Sequence, residues 1–106
     1  MKALTVLMLV LFATSSFANI SRPSTEGEVR RFCQAIEKAL ADTQADMALD
    51  MEACLVTKMR TVGHYVHGTV IRGSVPFRSP GRSLFKMTCE AQLKSGRVFS
   101  ESVTCQ

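Results

Sequence analysis

Three groups of side chains in this 106-residue chain have types and spacings that could do chemistry. The first is His64-Tyr65-Val66-His67, which holds both histidines. On a strand, residues three apart point to opposite faces, so the two imidazoles could not grip one metal ion. No third ligand stands nearby, and the expectation is a pair of rim histidines with no metal and no cofactor. For acid–base work the candidates are Glu90, Glu101 and Arg97 together with His64 or His67. A nucleophile motif such as Gly-x-Ser-x-Gly does not occur.

The second group is basic. Arg72, Arg78, Arg82 and Lys86 bracket the Pro/Gly-rich residues 73–81, with Phe77 and Phe85 interleaved. Guanidinium groups beside aromatics suit carboxylate, phosphate or sulfate groups and flat π surfaces. Arg72, Phe77, Arg78, Arg82 and Lys86 are therefore the candidate binding residues. The competing reading is a solvated loop with Phe77 tucked into the edge of the core.

The third group is Cys33, Cys54, Cys89 and Cys105. Without a Cys-x-x-Cys pair, a four-thiolate zinc site is disfavoured, and two disulfides are expected. Three connectivities are possible, of which Cys33–Cys54 with Cys89–Cys105 is preferred. One obstacle stands against the second bond. A hairpin closed by residues 94–96 places Cys89 opposite Glu101 and Cys105 opposite Phe85, an offset of roughly 13 Å along a strand. A bulge, or a last strand that curls away, is needed to bring the sulfurs together.

These groups need elements to position them, and the chain begins with a segment of another kind. Lys2 precedes an apolar run, and Ser16-Phe17-Ala18 supplies small residues before a cut, so residues 1–18 read as a signal peptide. The run is too short to span a bilayer. Removing it leaves residues 19–106, 88 of the 106, as one small domain in the periplasm or outside the cell. No second apolar span follows, so a soluble monomer is expected. Charge is divided within that domain. Residues 19–52 hold four bases against seven acids, and residues 53–106 hold eight against two. Such polarity can turn a basic half towards an anionic partner.

Val29, Phe32, Cys33, Ile36 and Leu40 recur at helical spacing after a capping Ser24 or Thr25, which predicts a helix over about residues 25–41. Asp42-Thr43 breaks it, and a second short helix over residues 43–50 is an alternative to a loop. Strands are expected over residues 53–61, 65–72, 83–93 and 97–104, with residues 73–81 as a loop. On the last hairpin Phe85, Met87, Cys89, Ala91 and Leu93 share an apolar face, which Phe99, Val103 and Cys105 would join.

The fold class is therefore α+β. An N-terminal helix, or a helix pair, packs on a four-stranded antiparallel meander stapled by two disulfides. The function expected of it is binding without catalysis: an inhibitor-like or envelope-associated module that meets an unknown protein or an anionic envelope component, nucleic acid being disfavoured. The alternative is a small secreted enzyme. Ribonucleases of that kind resemble this chain in outline, combining a helix, an antiparallel sheet and a Glu–Arg–His set.

Overall fold

A computed structural model describes residues 19–64 and 68–106. The expected signal peptide and residues 65–67 of the histidine cluster lie outside the described residues. The order of elements is β1 (Asn19–Pro23), α1 (Glu26–Thr43), β2 (Ala48–Leu49), α2 (Met51–Leu55), β3 (Arg60–His64), β4 (Gly68–Arg78), β5 (Phe85–Lys94), β6 (Arg97–Val98) and β7 (Thr104–Cys105). The path of the sheet is β1-β3-β4-β5-β6, with β2 added beside β4 and β7 beside β5. All pairings are antiparallel. The α+β class, the helix on a meander and both preferred disulfides are present.

Thr25 starts α1 with a capping box. Its hydroxyl accepts from the Glu28 N–H, and the Glu28 carboxylate accepts from the Thr25 N–H at 2.8 Å. Two otherwise unsatisfied donors at the helix start are thereby used. The stripe Val29, Phe32, Cys33 and Ile36 is buried against Ile71, Val75, Phe77, Cys89 and Ala91. Gln44 closes the helix at φ 53°, a left-handed conformation, with its N–H turned back to Ala41 and Leu40.

Four expectations need correction. Residues 19–23, for which the sequence suggested no element, form β1 along β3. The position is a sheet edge, where a terminal proline and polar side chains are tolerated.

Residues 43–50 are not a second helix. The short helix is Met51–Leu55, capped by the Asp50 carboxylate on the Ala53 N–H. It displaces the strand expected from residue 53, which begins only at Arg60. The Cys33–Cys54 bond accounts for this local choice. A helical turn buries Cys54 against α1 and turns Leu55 and Val56 outward, at 41% and 82% exposure.

Residues 73–81 are mostly strand, since β4 runs through Pro76 to Arg78. Pro76 sits where its missing N–H costs no ladder bond. Its carbonyl accepts from the Asp50 N–H, which places its nitrogen on that same edge, in the gap between the segments paired by β3 and β2. Gly73 admits Met59 so closely that a Cβ there would stand 2.6 Å from the Met59 Cγ. The true turn is Ser79-Pro80-Gly81-Arg82, with the Arg82 N–H donating to the Ser79 carbonyl and Gly81 at φ 75°. Proline followed by a positive-φ glycine is the type II arrangement.

The last hairpin differs in register. Its loop is the two-residue Ser95-Gly96, both at positive φ, so Lys94 pairs with Arg97 and Leu93 with Val98. Paired positive φ values give a type I′ turn, whose twist matches that of the strands. Val98 therefore faces the core where Arg97 was expected. From Leu93 to Cys89 β5 advances four residues, while its partner advances seven, from Val98 to Cys105. The surplus three, Ser100–Ser102, coil into a 3-10 turn. The Ser102 hydroxyl accepts from the Gln92 N–H, which this detour deprives of a strand partner. That detour sets Cys105 directly opposite Cys89.

Candidate binding surface

The helix layer covers one face of the sheet. On the other face Arg60, Arg72, Arg78 and Lys86 are exposed. Register places them: Arg60 stands opposite Arg72, Arg72 opposite Glu90, and Lys86 opposite Pro76. Directly opposed residues share a face, so the bases form a band across β3, β4 and β5. Glu90 is the one acid that this register sets among them, and it meets the Arg72 Nε at 3.4 Å. Both side chains of that pair are about half exposed, at 54% and 44%, so solvent screens the pair and it holds little energy.

The five expected binding residues are separated by the structure. Arg72 and Lys86 lie on the open face. Phe77 does not: it is fully buried, with its ring centroid 6.0 Å from that of Phe85. Arg78 has a structural task, donating at 2.9 Å to the Asp50 carboxylate that caps α2. That guanidinium, aided by the Ala53 N–H, holds the Asp50 carboxyl below its ordinary pKa. Arg82 sits over the Phe85 ring, 4.5 Å from its centroid, a cation–π contact; Phe85 stands opposite Phe77 on the core face, so this contact does not bring Arg82 into the band. Arg60 was missed by sequence reasoning. Only its pairing opposite Arg72 reveals its membership, and its Nε donates at 2.8 Å to the Ser21 hydroxyl.

Among the described residues Glu90 is not brought together with Arg97 and Glu101. Glu90 belongs to the open sheet face, while Arg97 and Glu101 line a groove of about 390 Å³ beside Arg31 and Lys38 of α1. The reading that pairs them with His67 falls outside the described residues, and His64 closes β3. Among the described residues no group of three His, Cys, Asp or Glu side chains could hold a metal ion. Comparisons with family models, curated proteins and solved structures return no match.

Glu28 has the most perturbed carboxyl, and its role is to fasten the scaffold. Arg22 of β1 donates both guanidinium nitrogens to it, at 2.8 and 2.7 Å, and the Thr61 hydroxyl adds a third bond. The Arg22 hydrogen bonds chiefly, with help from the Thr25 N–H, lower its pKa from the ordinary 4.5 to about 2. A lowered folded-state pKa contributes stability that is fully present above pH 4.5 and is lost as pH falls towards 2. Because Arg22 is half exposed, the expected loss is discounted to about 1–2 kcal/mol. Urea midpoints between pH 6 and 2 should show this acid limb, and Glu28→Gln should flatten it. An unchanged limb in the variant would assign the acid sensitivity elsewhere.

Proposed function

We propose that this protein is a small binding module without a catalytic role, which docks an anionic partner on the face of its sheet opposite α1. The partner is an acidic protein surface or an acidic envelope component. The observation that carries this reading is the band of exposed Arg60, Arg72 and Lys86, which register sets on the sheet face opposite α1. Cations spread over a rigid sheet steer an anionic partner and fix its register. Two disulfides suit an oxidising compartment, and among the described residues no helix is long and apolar enough to cross a membrane. Both are compatible with a periplasmic or secreted site of action. The ribonuclease-like alternative keeps only Arg97 and Glu101 in one place among the described residues.

The test compares two variants that lose the same charge. Arg72→Ser with Lys86→Ser strips the sheet face, and Arg31→Ser with Lys38→Ser strips the helix layer. Both should fold, with stability changed by less than about 0.5 kcal/mol per site. On a poly-glutamate resin the sheet variant should elute at clearly lower salt than the native protein, and the helix variant close to it. Equal displacement of both variants would show that net charge, and not this face, governs binding.

A further inference from the structure

A second recognition surface adjoins the open sheet face at Arg60. Between the first turns of α1 and the α2–β3 connection runs a groove of about 720 Å³, within the range of small-ligand sites. Its floor is apolar: Val29 and Met59 are almost fully buried, at 5% and 3% exposure, and Leu55 and Val56 stand open beside them at 41% and 82%. Aliphatic side chains exposed this far gain most when an apolar group covers them, at about 25 cal/mol per Å² removed from water. Arg30, Lys58 and Arg60 line the same groove against a single acid, Glu26. Glu26 sits in the first turn of α1, where a carboxylate complements the helix dipole. Among the described residues Arg30 and Lys58 enter no ion pair.

An apolar floor with an excess of cations is complementary to a molecule with a hydrocarbon part and an anionic end. Four aliphatic side chains are few for a protein partner, which would need roughly 800 Å² on each side. We propose that this groove binds one anionic amphiphile, a long-chain carboxylate, with its chain over Val29, Leu55, Val56 and Met59 and its head group at Arg30 and Lys58. Arg60 borders both surfaces, but the head group is placed at Arg30 and Lys58 and neither Arg72 nor Lys86 lines the groove, so separate variants test the two readings.

The probe is dodecanoate below its micellar concentration, titrated into the oxidised protein and followed by amide NMR shifts. Saturable one-to-one binding is expected, with shifts concentrated at residues 24–30 and 55–60. Arg30→Gln with Lys58→Gln should weaken it by roughly tenfold or more, since charge-assisted contacts are lost. Val56→Asp, at an exposed site that leaves folding intact, should weaken it comparably. Arg72→Ser with Lys86→Ser should leave it unchanged. Equal binding of a dodecyl trimethylammonium cation would overturn the proposal. So would shifts that never saturate, indifference to the Arg30/Lys58 variant, or binding to phosphatidylglycerol vesicles with none to the monomer.

Discussion

Phe77→Ala is expected to remove about 3–5 kcal/mol of stability, the range for truncating a buried phenylalanine. Phe77 has no exposed surface, it belongs to the core that α1 presses onto β4 and β5, and its ring meets Phe85. A domain of this size has about 5–15 kcal/mol in all, so the variant should unfold at a much lower urea concentration. The outcome also separates two roles for one residue. As a binding aromatic on a loop, Phe77 would be replaceable with loss of affinity and little loss of stability. A variant that keeps its urea midpoint would place the ring outside the core and restore it to the binding surface.

Replacing Cys33 and Cys54 together by alanine should cost about 3 kcal/mol, the loop-closure value for a separation of 21 residues. The second bond spans 16 residues and is worth nearly the same by that argument. The two should nevertheless differ in accessibility. Cys33 and Cys54 are fully buried between α1 and α2, whereas Cys105 lies half-buried at the end of the sheet. Mild reduction followed by alkylation and peptide mass analysis should therefore label Cys89 and Cys105 first, and Cys33 and Cys54 only as the protein unfolds. Early labelling of Cys33 would mean that α2 opens from α1 in the native state. Loss of both bonds, about 6 kcal/mol in sum, should leave the reduced protein close to unfolded at ordinary temperature.

Legibility in the sequence followed the range of the forces involved. The helix Glu26–Thr43 was readable because its signals are local: an N-cap threonine, a glutamate three residues on, and an apolar stripe at helical spacing. The apolar face of β5 was equally plain from its alternation. β1 was hidden because an edge strand can be polar and end in proline, and only pairing with β3 makes it a strand. Pro76 concealed the second half of β4, since a proline disfavours a strand unless its nitrogen faces a gap, and that gap depends on where β2 and β3 stop. The disulfide between Cys89 and Cys105 implied a detour in the last segment without locating it; the 3-10 turn Ser100–Ser102 supplies it.

The binding residues divide in the same way. Arginine-rich spacing drew attention to the Arg72–Lys86 region, but spacing along a chain does not say which bases share a face. Phe77 left the surface once β4 was extended, Arg78 was claimed by Asp50, and Arg60 entered through register alone. What remains is a surface property, a band of exposed cations on the sheet face opposite α1. Electrostatic bands of this kind act strongly at low ionic strength and weaken over the Debye length, about 10 Å at 0.1 M salt.

The most direct test of that surface is an amide-resolved NMR titration of the oxidised protein with poly-glutamate at about 0.1 M salt. Shifts should concentrate on the outward positions of β3, β4 and β5 around Arg60, Arg72 and Lys86, with α1 left quiet. Shifts centred on α1, or spread evenly over every exposed base, would contradict docking on the sheet face.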